Sequence, residues 1–568
     1  MRLAFVGCGL LLLAALANSQ VTESSSRPRN AVRSAPGVDR GAFTFTRYQL
    51  NVTLNVPRHG FSARGIVVVR NDSPQPQPRI ALQISSSLKW AAIRSGEASL
   101  TFTSDKLNSD IDHTGAVNEA VIELPKPLAP GESLELEVGY QGTIDQDSSR
   151  LQRLGMPVTI ARRSDWDAIA DSFTAVRGVG HVVWYPVALT PGTLDEGNKV
   201  FRELGAWRAR HADSRFRVTF TEDSSKMFFA NGERKSEVEK VYQMDRMGLE
   251  GPFFAIADYS ALPTVNGRVL YLRGHDEAAR KAGAALAKSE PVATSGKPFP
   301  AVVMELPAGW AGYENGPVLL TPLSGIQDSA IEQQLVHLVT HASLYSHRAW
   351  IYEGLAHMAQ AMAIEQQQGR PAAIEFLNKH ATAIALVAPA EPGPDDVRNS
   401  LINATDEIYY RSKAMWVWWM LREMVTTASL KKALAGYQAD MDREPAYVQR
   451  LIEAASGKDL EWFFDDWVYR DRGLPDFRIV NVYSRENMKG TYLVTVTVEN
   501  LGRAGAEVPV RIRMKTGETT ARLVVKGKSQ ATVRIETALP PVDVIVNDGG
   551  IIESDDANNT FVVTAIKQ

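Results

Sequence analysis

The chain has 568 residues, too many for one hydrophobic core, and this length favours roughly three or four domains. It is 44% hydrophobic and 22% charged, a composition that excludes a disordered or collagen-like protein. The 62 basic and 65 acidic residues give a formal net charge of −3 without strong sign asymmetry, which argues against nucleic acid or a polybasic membrane surface as a partner.

The first 19 residues have the pattern of a secretory signal peptide. Arg2 precedes an apolar run, and Ala17-Asn18-Ser19 offers a small-x-small cleavage site before Gln20. We therefore expect an exported protein, periplasmic or extracellular, with an uncleaved membrane anchor as the alternative. Cys8, the only cysteine, lies inside the signal, which excludes disulfides and cysteine nucleophiles from the mature chain. No later apolar stretch is long enough to form a transmembrane span.

The rest of the chain divides by periodicity into a leader and three domains. Residues 20–42 are rich in Ser, Arg, Pro and Gly and predict a flexible leader. Apolar residues alternate with polar ones over 43–220, which predicts an N-terminal β domain that no helix interrupts. Residues 221–475 are mixed and then helical, and alternation returns over 476–568, which predicts a β-sandwich. The predicted fold class is multidomain α+β.

Several helices are predicted in the second half of the chain. Ser329 and Glu332 form a capping-box pattern for a helix that runs to about Ser343. Further helices are predicted over 350–368, from Pro371, over 406–425 and over 447–469.

Two histidines four positions apart, His337 and His341, project from one face of the helix that Ser329 begins. This spacing lets two imidazoles bind one metal ion, although a pair of polar residues lining a groove is the alternative. The next helix begins W-I-Y-E-G-L-A at 350–356, and its Glu353 follows a tight connection that would fold it back beside the first helix. Two histidines and one glutamate form a three-ligand zinc set with an open fourth position.

These motifs resemble those of the membrane alanine aminopeptidase family of gluzincin zinc peptidases, which read H-E-x-x-H followed by W-L-N-E-G-F-A. The segment G-Y-E-N-G at 312–316 is similar to the family's G-x-M-E-N strand, and I-Y-Y-R-S-K-A at 408–414 is similar to the segment that carries its functional tyrosine. The segments F-F-D-D-W and G-L-P within 463–475 resemble the end of the catalytic domain. The resemblance implies an aminopeptidase-N-like β domain, a thermolysin-like metallopeptidase domain and a β-sandwich.

The resemblance also implies a function: zinc-dependent removal of residues from the N-termini of peptides or proteins. Zinc would be bound by His337, His341 and Glu353. Glu314 would hold the free α-amine of the substrate, and the Tyr410 hydroxyl would stabilise the oxyanion. The oligomeric state and the preferred N-terminal residue are left open.

One departure from the family concerns catalysis directly, because Leu338 stands where the family has its general-base glutamate. Loss of a positioned base costs about 10²- to 10⁴-fold in rate, so an impaired peptidase is expected. The alternative is a non-catalytic pseudopeptidase that binds peptides or protein partners. If the zinc and substrate sites are intact, Leu338→Glu is expected to raise turnover at least about tenfold.

Other departures leave residue assignments open. Glu353 follows His341 by twelve positions, a shorter interval than is usual in the family. Tyr409 replaces Tyr410 as the functional tyrosine if the alignment slips by one residue. His347 has the spacing of a metzincin third ligand, but Leu344 stands where that motif needs glycine, which favours Glu353. His357, one turn after Glu353, is expected to support the site.

Overall fold

The computed structural model describes residues 37–295, 299–324, 328–387 and 400–563. The predicted signal peptide lies outside these residues, as does most of the predicted leader. Contacts divide the chain into two compact units. Unit 1 comprises the described residues up to Ser289, with Phe299–Ala342 and Thr405–Glu407; unit 2 comprises the described parts of Glu290–Pro298, Ser343–Ala404 and Ile408–Gln568.

Strands dominate the first part of unit 1. They are β1 (Phe43–Asn55), β2 (Gly60–Asn71), β3 (Gln77–Ser85), β4 (Leu88–Ser95), β5 (Ala98–Ser99), β6 (Phe102–Asn108), β7 (Ala116–Leu128), β8 (Ser133–Thr143), β9 (Thr174–Val176), β10 (Arg215–Thr221), β11 (Met227–Ala230), β12 (Glu233–Arg234), β13 (Lys240–Met244) and β14 (Phe254–Ala257). The sheets have the orders β12-β13-β10-β1-β2-β8-β4-β5, β3-β7-β6 and β11-β14-β9. Alternate residues of β1 are buried, as its sequence pattern predicts. The strands β12 and β13 lie beyond residue 220 in the chain and belong to this first sheet. The domain boundary at residue 220 stays a prediction.

Helices also occur in this region: α1 (Ser149–Arg153), α2 (Val158–Ser164) and α3 (Lys199–His211), with 3-10 turns at Val56–Arg58 and Leu194–Glu196. The prediction that no helix interrupts residues 43–220 was therefore wrong. Only a narrow stripe of α3 is apolar, with Val200, Leu204 and Trp207 buried at helical spacing. Charged residues around that stripe hid the period in the sequence.

His211 is the last residue of α3, and it is buried. Its burial predicts that the stability of the protein depends on pH. It is 1% exposed, its ring stacks on Trp207 at 3.5 Å, and its Nδ1 lies 2.7 Å from the Trp207 carbonyl oxygen. Burial lowers the pKa of His211 to about 3, although the Trp207 carbonyl opposes the shift. The unfolded chain takes up this proton near pH ~6.5, so stability present above that pH is lost as the pH falls toward 3.

We expect His211 to contribute a loss of about 2–3 kcal/mol in unfolding free energy between pH 6.5 and 4.5. Urea unfolding at several pH values measures this loss. His211→Gln should make the pH dependence shallower by about one proton. Equal slopes for His211→Gln and wild type would refute the assignment.

A fourth sheet among the described residues of unit 1 packs against the helix of the histidine pair. It has the order β15-β16-β17-β19-β18, with β16, β17 and β19 parallel. Its strands are β15 (Tyr259–Thr264), β16 (Gly267–Leu272), β17 (Ala301–Glu305), β18 (Tyr313–Asn315) and β19 (Val318–Thr321), and the helices of this region are α4 (Asp276–Lys288) and α5 (Asp328–Ser343). One apolar cluster joins residues of this sheet to residues of both helices. The predicted helix over 329–343 is confirmed.

Unit 2 is helical and then β-stranded. Its helices are α6 (Ala349–Gln368), α7 (Arg370–Val387), α8 (Glu407–Val425, all but its first residue in this unit), α9 (Thr427–Ala435), α10 (Tyr447–Ser456) and α11 (Glu461–Phe464), with a π-helical turn at Asp465–Tyr469 and 3-10 turns at Leu401–Asn403 and Ala439–Met441. The predicted helices over 350–368 and 406–425 and the one opening at Pro371 are confirmed. The single helix over 447–469 was wrong, because Gly457 takes a left-handed φ of 70° and ends α10.

The last strands are β20 (Phe477–Glu486), β21 (Tyr492–Asn500), β22 (Ala506–Met514), β23 (Glu518–Val525), β24 (Gln530–Thr537), β25 (Pro541–Val546) and β26 (Thr560–Val562). They form two sheets, ordered β20-β21-β24 and β23-β22-β25-β26. Alternate residues of β21 and β22 are fully buried, as the sequence period predicts. The chain is therefore of mixed α+β class, and its domain boundaries stay predictions. None of the helices in the described residues is long and apolar enough to cross a membrane.

Candidate metal centre

The apolar stripe of α5 decides which way the histidine pair faces. Ile331, Leu335, Leu338 and Ala342 follow the 4-3-4 spacing of one helix face, and all four belong to the apolar cluster that joins α5 to its sheet. His337 and His341 lie beside that stripe, with ring centroids 4.6 Å apart. Both side chains are buried, with 6% and 3% of the residue exposed.

Glu314 meets the histidine pair from the edge strand β18. Gly316, with φ of 55°, makes the turn into β19, and β18 pairs antiparallel with that strand. Glu314 Oε1 lies 2.7 Å from His337 Nδ1 and 3.7 Å from His341 Nδ1. One ligand atom from each of these three residues lies within 4.8 Å of the others. Unit 1 thus brings together three of the predicted site residues.

A fourth residue of unit 1, Glu250, approaches the same pair. Its Oε1 lies 4.0 Å from His341 Nδ1, and its side chain is 18% exposed. Sequence reasoning missed it, because it occupies a loop far from the motif in the chain and belongs to no recognisable pattern. The following residue, Gly251, is held in place: its carbonyl accepts hydrogen bonds from Asn315 Nδ2 at 2.8 Å and Asn231 Nδ2 at 3.1 Å.

The donor chemistry of this cluster fits zinc. Two imidazole nitrogens with a carboxylate oxygen are a usual ligand set for Zn²⁺ in hydrolytic sites. Two carboxylates beside two buried imidazoles also favour a divalent cation electrostatically, because they bring negative charge into a partly buried place. In unit 1, His337 and His341 would hold the metal, with Glu314 and Glu250 close to it.

Leu338 does not face this cluster. It is fully buried and lies on the apolar stripe of α5, among side chains that contact the sheet. A side chain at position 338 is therefore directed into the hydrophobic core rather than toward the carboxylates.

Glu353, the predicted third ligand, belongs to α6 in unit 2. It is 4% exposed and accepts hydrogen bonds from Arg411 Nε at 2.9 Å and Arg411 Nη2 at 3.3 Å. His357 Nε2 lies 3.9 Å from Glu353 Oε2, close to the residue it was expected to support. A Cβ on Gly354 would lie 2.5 Å from the Ala414 Cβ, so glycine is what allows α6 and α8 to approach so closely here.

Both tyrosines at the start of α8 are buried. The Tyr409 hydroxyl donates to Asp471 and accepts from Lys413 Nζ at 2.7 Å, in the interior of unit 2. Tyr409 is thus part of a buried polar network. Tyr410 is also buried, at 3% exposed. The roles of Glu353 and Tyr410 stay predictions, as does the alternative role of His347.

Comparison with known proteins gives matches among solved structures only. No protein-family model and no curated protein matches the sequence. A mutant M1 zinc metallopeptidase from Deinococcus radiodurans is 16% identical, with a TM-score of 0.46, covering 78% of this chain and 97% of that one. The mutant bound to a Tyr-Ser-Ala substrate is 17% identical, with a TM-score of 0.45 and coverages of 78% and 97%. A mutant two-domain M1 zinc metallopeptidase bound to L-tryptophan is 17% identical, with a TM-score of 0.45 and coverages of 77% and 96%.

Proposed function

We propose that this chain is a zinc-dependent, aminopeptidase-like protein that acts slowly on the N-termini of peptides or proteins. The observation that carries the proposal is the convergence of Glu314, His337 and His341 in unit 1. The motif resemblance adds Glu353 as third zinc ligand and a thermolysin-like metallopeptidase domain as the setting. The signal-peptide pattern supports export, so the natural substrates would be peptides outside the cytoplasm.

Each of the proposed residues has a chemical task. Zinc, when bound, supplies Lewis-acid polarisation to the reacting groups. Glu314 has two carboxylate oxygens; one is engaged by His337, and the other has the acceptor capacity to hold a substrate ammonium. The Tyr410 hydroxyl would donate a hydrogen bond to the oxyanion that develops at the scissile carbonyl.

Metal analysis tests the proposal. Elemental mass spectrometry of the mature protein should find about one zinc per chain, and His337→Ala should lose it, because two remaining ligands bind zinc too weakly. The exposed His59→Asn is the matched control and should keep its zinc. Thermal melts of each variant verify folding. A folded wild-type protein that stays free of stoichiometric zinc after zinc loading would overturn the proposal.

Leu338 favours a second candidate, a non-catalytic pseudopeptidase that binds peptides or protein partners. In this candidate the chain keeps the zinc ligands of the motif, but position 338, next to His337 on α5, carries no carboxylate. The two candidates differ in turnover. A binder retains peptides with a free N-terminus, binds their acetylated forms more weakly through loss of the Glu314 contact, and releases no amino acid. A slow peptidase releases the N-terminal residue under the same conditions.

A further inference from the structure

We infer that Glu250 is the general base of the proposed hydrolysis, in place of the glutamate that Leu338 replaces. This inference rests on the proposed function and adds to it a catalytic residue that neither the motif nor the resemblance contains. It follows from the orientation of α5, from the distance between Glu250 and the histidine pair, and from the contacts that hold the Glu250 loop.

The orientation of α5 excludes position 338 as the place of the general base. Leu338 shares its helix face with Leu335 and Ala342, and all three pack in the cluster beneath the helix. Because that face points into the core, a base that works beside His337 and His341 has to come from another element. Among the described residues of unit 1, Glu314 and Glu250 both lie within 4.0 Å of a histidine of the pair, and the proposed function assigns Glu314 to the substrate amine.

The distance to Glu250 suits a base that acts on water. Glu250 Oε1 lies 4.0 Å from His341 Nδ1, beside the pair but beyond the reach of a direct hydrogen bond. Oε1 itself is buried, and the 18% of the side chain that is exposed belongs to its other atoms. A general base has to reach the attacking water from a fixed position, and contacts of this kind tighten when substrate is bound.

The fixed position comes from the residues around Gly251. Asn315 and Asn231 both donate to the Gly251 carbonyl, and Asn231 Oδ1 accepts from the Phe253 backbone N–H at 2.8 Å. A Cβ at Gly251 would lie 2.9 Å from the Tyr185 hydroxyl, so the loop is also packed closely against Tyr185. Since Asn315 follows Glu314 directly in β18, one short strand sets the positions of both carboxylates.

The proposed step balances in atoms and charge. The Glu250 carboxylate takes one proton from the attacking water as the new O–C bond forms at the scissile carbonyl carbon. The C–N bond then breaks, and Glu250 returns that proton to the leaving amine nitrogen. The net reaction consumes one water per peptide bond and leaves Glu250 as it began, with zinc supplying only polarisation.

Glu250→Gln tests this role while preserving size and most packing. We expect kcat to fall by about 10²- to 10⁴-fold, with KM, zinc content and melting temperature unchanged. Glu332→Gln is the matched control, a half-buried carboxylate on α5 outside the cluster, and should keep wild-type kcat. Glu250→Ala should regain part of its lost rate with added formate, a rescue that a purely structural role would not produce.

The outcomes separate this inference from the proposed function. An active wild type with Glu250→Gln within about threefold of its kcat would overturn the base role and leave the peptidase standing. Loss of zinc in folded Glu250→Gln would make Glu250 a ligand and also overturn the base role. A zinc-loaded wild type that releases no amino acid would overturn the peptidase and the base role together.

Discussion

Leu338→Glu is expected to lower the free energy of unfolding by about 3–5 kcal/mol at pH 8 and to leave peptidase turnover unimproved. Leu338 is fully buried on the apolar stripe of α5, so the new carboxyl would enter the apolar cluster that joins α5 to its sheet. This expected result replaces the sequence-based one, in which restoring the motif glutamate raises turnover. The difference comes from the helix orientation, which the motif alone does not contain.

The destabilisation should depend on pH in a way that identifies its cause. Burial raises the pKa of a glutamate, whereas in the unfolded chain the same group titrates near ~4.3. Above that pH the folded variant holds a proton that the unfolded variant has released, so its stability relative to wild type falls as the pH rises. The penalty should therefore be larger at pH 8 than at pH 5.

Urea unfolding of wild type, Leu338→Glu and Leu338→Gln at pH 5 and pH 8 measures this effect. The Leu338→Gln variant is the control, because it buries a polar group of similar size that does not titrate, and its penalty should be the same at both pH values. A small, pH-independent penalty for Leu338→Glu together with faster peptide turnover would contradict the buried orientation and place position 338 in the reaction groove.

Structural features that depend on residues close together in the chain were predicted from the sequence. The spacing of His337 and His341 and the helix that carries them are properties of adjacent turns, and both are present as predicted. The core-facing stripe that includes Leu338 also has a local 4-3-4 spacing, but it was not recognised, and position 338 was treated as part of the catalytic site. The β strands of the first and last parts of the chain likewise follow from alternation.

Features that depend on tertiary contact were not predicted. Glu250 lies beside the histidine pair on a loop whose Gly251 carbonyl is held by side chains from two other segments. α3 was missed because its buried stripe is narrow, and the break after α10 was missed because Gly457 was taken as part of a helix. The ion pair between Arg411 and Glu353 is also a contact between distant segments, and no sequence pattern predicts it.

The second large expected effect is a loss of stability on breaking a buried ion pair in unit 2. Lys413 Nζ lies 2.7 Å from Asp471 Oδ1, and the two side chains are 3% and 4% exposed. Burial lowers the pKa of Lys413 against the opposing attraction of Asp471. Burial also acts to raise the pKa of Asp471, but the Lys413 ammonium and the Tyr409 hydroxyl outweigh it and hold that pKa below its usual value.

Lys413→Met should lower the unfolding free energy by about 3–5 kcal/mol, because it leaves the Asp471 carboxylate buried without its cation. Chemical denaturation measures the change. Lys379→Met, which breaks an exposed pair with Glu375 in α7, is the matched control and should change stability by less than about 1 kcal/mol. The double variant Lys413→Met, Asp471→Asn should recover a large part of the loss, since it removes the uncompensated charge.

The same variants test whether the pair positions α8. Tyr409 bonds to both members of the pair, and the next residues of the helix are Tyr410 and Arg411, which holds Glu353. If the pair fixes this turn of α8, Lys413→Met should reduce peptide turnover more than zinc content, and the double variant should not restore turnover fully. Recovery of stability and turnover in parallel would instead give the pair a purely energetic role. In the wild type the Tyr409 hydroxyl is bonded to both Asp471 and Lys413, and the oxyanion role of Tyr410 stays a proposal with either result.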